Sequence, residues 1–581
     1  MEKNTIFAFI LSFLVLILWL FFFSHKQEKV PVSEAPQGKQ TTKQTTTQTT
    51  TPSTTQTTTP STTPSTTQTK SPEATLPQPQ VSPPQGPSVV PKEMPSTRMV
   101  EEKEISVETP LYSAVFSNVG PTIKSFRLKN YHLTTNPDSP WVELVDTDDS
   151  HDPFIKWDFN RSANSGEEDL AFHVQGTSLT LGPESPPKEL VFSVTRPDGV
   201  QINQVFRFYP DRYPVDVTLT LSNRSATDME GTLKAELRNF PPVKKKSYYS
   251  FIGLALLLNG DLKTFVAKKI KKDETLSGRI GWIAYESDYF MSAIIPEAAE
   301  KAGFLGRSLP SGMLEAVYMA PPMVLKAGEN FSSPFTIYLG PRDLTFLKPL
   351  HKDLEAAIYF GWTNVIAKPL LYALRFFYKY LKNYGLAIIL LTILIKIIFW
   401  PLTHKSYKSM KEMQKLQPLM AKIREKYKNN REQMNKELMG LYKTYKVNPM
   451  SGCLPMIIQM PVFFALYRIL GSSTELRHAP FFLWINDLSA PDRLFNFPFQ
   501  IPFMSPPYGI PILTLFMGAS MFLQQKMTPT PGDPSQAKVM MFLPIFFTVL
   551  FINFPSGLVL YWLTNNIISI GQQYRIRKGS A

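Results

Sequence analysis

Five apolar zones, separated by polar stretches of very different character, set the plan of this chain. The first, residues 6–23, is interrupted only by Ser12. About 18 residues at ~1.5 Å each reach ~27 Å, close to the hydrocarbon thickness of a bilayer. The run ends in Phe21-Phe22-Phe23-Ser24-His25 rather than in the small residues of a cleavage site, so it reads as an uncleaved anchor within residues 1–30. The next three zones are 385–400, 453–470 and 509–523. The last, 539–570, is too long for one span and is broken at Pro555-Ser556-Gly557, which makes it a tight hairpin of two. Six spans are predicted. Several are short: residues 539–554 would reach only ~24 Å as a helix, a mismatch that local thinning of the bilayer can meet. Pro455 and Pro461 fall in the third span, where Pro461 removes a backbone donor.

The segments between these zones differ in period. Residues 31–98 are rich in Thr, Pro, Gln and Ser, a composition that cannot bury enough apolar surface to fold and acts as a linker. From 99 to 348, apolar residues alternate with polar ones, as in Val215-Asp216-Val217-Thr218-Leu219-Thr220-Leu221. Turn signals at Asn118-Val119-Gly120, Pro197-Asp198-Gly199 and Asn259-Gly260-Asp261 separate the alternating stretches. Period-two alternation with regular turns predicts an antiparallel β-sandwich. Residues 349–383 turn helical, with Pro369 placed to open a helix on which Leu370, Leu371, Leu374, Phe377 and Leu381 share a side. That pattern fits an amphipathic helix on a membrane surface, and equally one packed on the sandwich. After a second span at 384–402, residues 403–450 carry two helical repeats. Met413, Leu416, Met420, Ile423 and Tyr427 form one; Met434, Leu438, Leu441 and Tyr445 form the other, with Asn429-Asn430 as the turn. The expected product is an antiparallel helical hairpin with a basic exterior. Spans three to six occupy 451–573, and a basic tail closes the chain at 574–581.

Charge orients this plan. The net charge of +14 admits either nucleic acid or an anionic membrane as partner. Lys and Arg crowd 401–450, from Lys405 to Lys446, whereas 471–508 holds only Arg477 and Arg493. The basic loop therefore belongs in the cytoplasm, together with the Arg575-Ile576-Arg577-Lys578 tail and, by parity, the N-terminus. The β domain falls on the outer side of the membrane. One cysteine, Cys453, excludes an internal disulfide framework. His132, His151 and His173 follow no metal-ligand spacing, and no GxxxxGK[ST] motif occurs, so neither metal nor cofactor is expected.

One cation breaks the second span: Lys396, inside LAIILLTILIKIIFW with no Asp or Glu in the run. A charge at mid-bilayer costs roughly 2.5–3.5 kcal/mol on insertion scales, so such a residue usually faces water or a polar cavity. It lies four residues from Trp400, and snorkelling to the nearer headgroups is the local alternative. Thr392 shares its helix face; Gln459 sits in span three, Ser520 and Gln524 share a face of span four, and Asn565 and Asn566 fall in the last span. These polar residues either line a hydrated groove or join helix to helix. The spans lack His, Asp and Glu, so no general acid–base set exists there and no catalytic residue is assigned.

From Asn383 onward the residues resemble the YidC/Oxa/Alb membrane-protein insertases. The resemblance is carried by NYGLAIILLTILIKIIFWPLTHKSYKSMKEMQKLQP, YKVNPMSGCLPMIIQMPVFFALYRIL, SSTELRHAPFFLWINDLSAPD and FPSGLVLYWLTNN, about a third of the chain in one order. GWIAYESDYFMSAIIPE, at 281–297, is similar to the end of the external domain in long bacterial relatives. The resemblance implies a five-helix insertase core, a β-supersandwich outside, and a groove open to cytoplasm and lipid but closed outside. Relatives commonly place arginine in that groove; Lys396 keeps the charge without the bidentate fork. Thr392, Gln459 and the Tyr561-Trp562 pair match groove positions, with Trp562 where a second tyrosine is common. Met460 and Phe463 match positions that touch the incoming chain.

The expected function is therefore a non-enzymatic insertase and chaperone. Its expected partners are nascent membrane proteins, the Sec translocon, the ribosome and membrane lipid, with no small-molecule substrate, and it is expected to work as a monomer. Met413, Met420 and Met434 of the hairpin, with Arg424, would meet the client first. A secondary transporter or proton pathway using the intramembrane lysine is the alternative. Such proteins usually carry intramembrane carboxylates, which these spans lack.

Overall fold

The computed structural model describes residues 102–145, 153–160, 170–241, 251–297, 301–448, 454–527 and 534–578. The expected anchor at 6–23 and the linker at 31–98 lie outside the described residues.

The alternating region folds into three main sheets of nine, six and five strands. Val200–Phe208 buries every second side chain and pairs with Lys188–Thr195 through the expected turn, where Gly199 takes φ +87°. Asn259 and Gly260, both at positive φ, close the hairpin between Gly253–Leu258 and Asp261–Val266. Phe206, Val217 and Phe335 stand opposite one another across three strands of the nine-stranded sheet, so they share one face. Phe335 packs on Trp157 at 4.7 Å between ring centres, from a strand of the six-stranded sheet. Phe206 packs on Phe116 at 5.3 Å, from the five-stranded sheet. One large sheet is thus covered on one face by two smaller ones. Pairing is antiparallel except where Glu104–Glu108 meets Ser178–Thr180.

Eight helices matter to the site. They are α1 (Asn364–Leu381), α2 (Tyr384–Lys415), α3 (Gln417–Lys426), α4 (Arg431–Thr444), α5 (Leu454–Ser472), α6 (Ile512–Met527), α7 (Pro534–Phe551) and α8 (Ser556–Lys578). Helix α1 opens at Asn364, before Pro369, and packs Ala367, Leu371 and Leu374 on α2 and α5 rather than on the sandwich. Its opposite side shows Val365 (85% exposed), Tyr372, Phe376 and Tyr380. Lys382, at φ +53°, ends α1, and the Asn383 side chain caps α2 by accepting from Leu386 N at 3.0 Å. Helix α2 does not stop at Trp400; it runs through Pro401 for 32 residues, and among the described residues it is the one helix long and apolar enough to cross a membrane. The hairpin is α3 and α4, and Met413 from the end of α2 joins Leu416, Met420 and Leu438 in its small core. Helix α6 starts at Ile512 instead of at 509, because Tyr508–Ile510 pairs with Leu494–Phe497 in a two-stranded sheet. Gly518 lets α6 meet α7: a Cβ there would stand 2.1 Å from Thr548 Oγ1.

Charges join the sandwich to the helices. Arg342 is buried against Glu286 at 3.3 Å and donates to Ser287 O at 2.7 Å. Arg375 of α1 bridges Asp343, 3.4 Å away, and Glu475, 3.3 Å away, just past α5. Thr474 Oγ1 donates to Tyr289 O at 2.7 Å. Burial and the nearby Asp343 carboxylate push Glu475 up to about 7, against the pull of Arg375.

Between its ordinary carboxyl range and pH 7, Glu475 holds more proton in the folded chain than in the unfolded one, so its contribution to stability is present at low pH and lost as pH rises through about 7. Glu475→Gln is expected to match the parent at pH 5 and to unfold at higher temperature than the parent at pH 8, as read by thermal unfolding in detergent.

Candidate functional site

Helix α8 carries the polar side chains that organise the helical bundle. Tyr561, Asn565, Ser569 and Gln572 recur at spacings of four, four and three, a single stripe on a helix. Helices α2 and α5 meet this stripe, and α6 meets the adjoining Asn566. From α2, the Lys396 Nζ donates to Ser569 Oγ at 2.7 Å, and Thr403 Oγ1 receives Gln572 Nε2 at 3.0 Å. From α5, Gln459 Nε2 donates to Tyr561 OH at 2.9 Å. From α6, Ser520 Oγ receives Asn566 Nδ2 at 2.9 Å. Helices α2 and α8 run the same way, since contacts advance from 396 with 569 to 403 with 572 and on to Lys411 with the carbonyl of Ile576 at 3.3 Å.

Lys396 is 7% exposed. Its ammonium points across to α8 and not along its own helix toward Trp400. Around it Asn565, Asn566, Ser569, Gln572 and Thr403 are all buried. A cavity of about 140 Å³ opens further along α2, between Tyr407, Met410, Lys411 and Gln414 on one side and Met527, Gln573 and Ile576 on the other.

The remaining candidates divide. Thr392 is buried with its hydroxyl bonded to the Ile388 carbonyl of its own helix at 2.7 Å. Phe463 packs on Trp562 at 5.1 Å and on Phe551 at 5.7 Å between ring centres, so it belongs to an aromatic cluster joining α5, α7 and α8. Met460 and Gln524 are half-buried. Met413 and Met420 are buried inside the hairpin, while Met434 and Arg424 are half-buried. The hairpin's apolar exposure comes instead from Leu419, Met439 and Tyr445. Ser569, Gln572 and Thr403 were not singled out from sequence. The four-and-three spacing of Asn565, Ser569 and Gln572 in an apolar segment was the signal for two of them.

The arrangement holds a fixed positive charge among neutral hydroxyl and amide groups. A segment bringing carbonyl or carboxylate oxygens to Lys396 would exchange with the Ser569 hydroxyl, and a charge-assisted bond to a carboxylate is roughly twice as strong as a neutral one.

Comparison with known proteins places this geometry. Residues 104–373 match the family model of the YidC periplasmic domain, and residues 376–581 match that of the 60Kd inner membrane protein. The chain is 42% identical over 584 residues to the membrane protein insertase YidC of Syntrophobacter fumaroxidans, covering 100% of both chains. It is 42% identical over 480 residues to the protein of the same name from Syntrophus aciditrophicus, covering 82% of this chain and 85% of that one. With that of Pelobacter propionicus it shares 38% over 581 residues, 100% of this chain and 99% of the other.

Ser569→Ala removes the described partner of a buried ammonium and is expected to cost about 1–3 kcal/mol of stability. Adding Lys396→Met to the same chain should cancel most of that loss, because the unpaired charge goes with it. A double-mutant cycle by thermal unfolding in detergent measures the coupling.

Proposed function

The chain belongs to the YidC family of membrane protein insertases, and on that premise we propose a route by which its own side chains pass a client segment from the cytoplasm into the lipid. It is an inner-membrane protein whose β domain is periplasmic. Its clients are nascent membrane proteins, and insertion is not an enzymatic reaction.

In the proposed topology six spans cross the membrane: residues 6–23, then α2, α5, α6, α7 and α8. The α3–α4 hairpin and both termini are cytoplasmic, as the Lys and Arg placement supports. A client first meets the hairpin at Leu419 and Met439, with Arg424 and its basic neighbours facing anionic lipid or ribosomal RNA. The hairpin methionines Met413, Met420 and Met434 take part only if the hairpin opens its small core.

The polar or acidic flank of the client then enters the seam on α8. There it displaces Ser569 from Lys396 and meets the Gln459–Tyr561 and Ser520–Asn566 pairs, with Thr392, Gln524 and Asn565 completing the polar lining. The apolar part slides past Met460, Phe463 and Trp562 into lipid. Burial of that part, at about 25 cal/mol per Å² of apolar surface, drives the process without a nucleotide. One copy suffices for this path, alone or beside the Sec translocon. The observation that carries the proposal is the Lys396 ammonium held by one neutral hydroxyl at 2.7 Å, a bond that a client carboxylate can replace with a stronger one.

Photo-crosslinking probes at positions 396, 459 and 463 are expected to capture ribosome-stalled clients, and a probe at Phe206 in the sandwich core is not. Lys396→Ala should reduce insertion most for clients with acidic translocated tails, by about tenfold if ~1.4 kcal/mol of attraction is lost. Equal insertion of acidic and neutral clients by this variant would remove the charge from the mechanism.

A further inference from the structure

Between α5 and α6 the chain runs for 18 residues, 494–511, without one Asp, Glu, Lys or Arg. Four of these residues are Phe. Resting on the six-span topology proposed above, which puts this segment on the periplasmic side, we propose that it is a lipid anchor: Phe495, Phe499 and Phe503 sit among the acyl chains of the outer leaflet.

The first support is exposure. Phe503 is 83% exposed, Phe495 67% and Phe499 59%. Leaving three phenyl rings in water is unfavourable, and a contiguous apolar patch of this kind marks a protein or membrane contact. The second support is that the exposure is built into the backbone. Leu494–Phe497 pairs with Tyr508–Ile510, and the strip between is clasped to the turn between α7 and α8. Asn553 Nδ2 donates to Phe503 O at 2.8 Å, and its Oδ1 accepts from Ser505 N at 2.7 Å. Arg493 donates to Pro507 O and to Ile552 O, each at 2.8 Å. Phe495 and Phe503 hold φ of +60° and +64°, left-handed backbone that a bulky residue seldom adopts. The loop's polar groups are tied down while its rings are turned outward.

Continuity decides the occupant. The clasp sets the loop against the ends of α7 and α8, and the two-stranded sheet leads directly into α6. Phe516 of α6 and Val549 of α7 are exposed at this end of the bundle. The loop therefore extends the apolar surface that the spans offer to lipid. A protein partner would be oriented by a polar or charged rim. This run supplies no charge, which suits acyl chains. Phe lacks the polar handle that keeps Trp and Tyr at headgroup level, so the rings reach below it. Such an anchor would set the depth of the bundle and hold short spans against a thinned bilayer.

The test uses the full chain, with Cys453→Ser removing its one cysteine, in vesicles of phosphatidylethanolamine and phosphatidylglycerol. A nitroxide is attached to Phe503→Cys or, separately, to Phe495→Cys. Phe516→Cys on α6 and Asp138→Cys in the β domain serve as references. Collision with oxygen, which concentrates in lipid, is compared with collision with a water-soluble nickel chelate. The expected result is an oxygen-to-nickel ratio at 503 and 495 severalfold above that at 138 and close to that at 516. A water-like ratio at 503 and 495 with a lipid-like one at 516 overturns the anchor and leaves the topology intact. A water-like ratio at 516 as well overturns the topology and the anchor with it. Little collision with either reagent at 503 and 495 means that protein covers the rings, and that too overturns the anchor.

Discussion

A positive charge enclosed by neutral groups constrains the helical bundle more than any other contact. Lys396 is buried between helices, and its described partner is the Ser569 hydroxyl. An ammonium has three donors, so one hydroxyl satisfies it sparingly. Beside it α8 turns Asn565, Asn566, Ser569, Gln572 and Gln573 inward. Hydrogen bonds to α2, α5 and α6 then bind the bundle together, in a medium where packing alone gives little hydrophobic drive between helices. In the proposed route the client exchanges these same bonds, so cohesion and passage would draw on one set of side chains.

The attachment of the periplasmic domain follows a different rule. Here charges are paired: Arg375 of α1 with both Asp343 and Glu475, next to the Arg342–Glu286 pair inside the β domain. Burial first, and then the Asp343 carboxylate sharing the same guanidinium, hold Glu475 above the usual carboxyl range. The end of the sandwich, the second half of α1 and the end of α5 meet at this point, so a proton taken up there is felt by both halves of the molecule. Beside the β domain the chain joins its parts through charged groups, Arg375 with Asp343 and Glu475. Within the bundle it uses neutral partners, because the desolvation of a second charge would exceed what the pair returns.

Much of this was legible in one dimension. Alternation in stretches such as 215–221 and the Asn259-Gly260 turn specified strands and hairpins, since side-chain direction along a strand and positive φ at a turn are local properties. The break at Pro555-Ser556-Gly557 separated α7 from α8 for the same reason. Errors gathered where neighbours decide. Pro369 looked like a helix start, yet α1 opens at Asn364 because its face is covered by α2 and α5. Met413 and Met420 suit either a client or the packing of the hairpin on itself, and the fold puts them in the hairpin core and exposes Leu419 and Met439.

The sequence by itself determined the apolar zones, the β character of the domain, the charge asymmetry and the oddity of a lone lysine, because each follows from which residues stand in a run. Only the tertiary structure decided where that lysine points. Its partner lies 173 residues away, and no local pattern specifies which turn of α8 will face which turn of α2. The same holds for the exposed phenylalanines: composition marked them as apolar, but it took the Asn553 clasp and the paired strands to turn them away from the core.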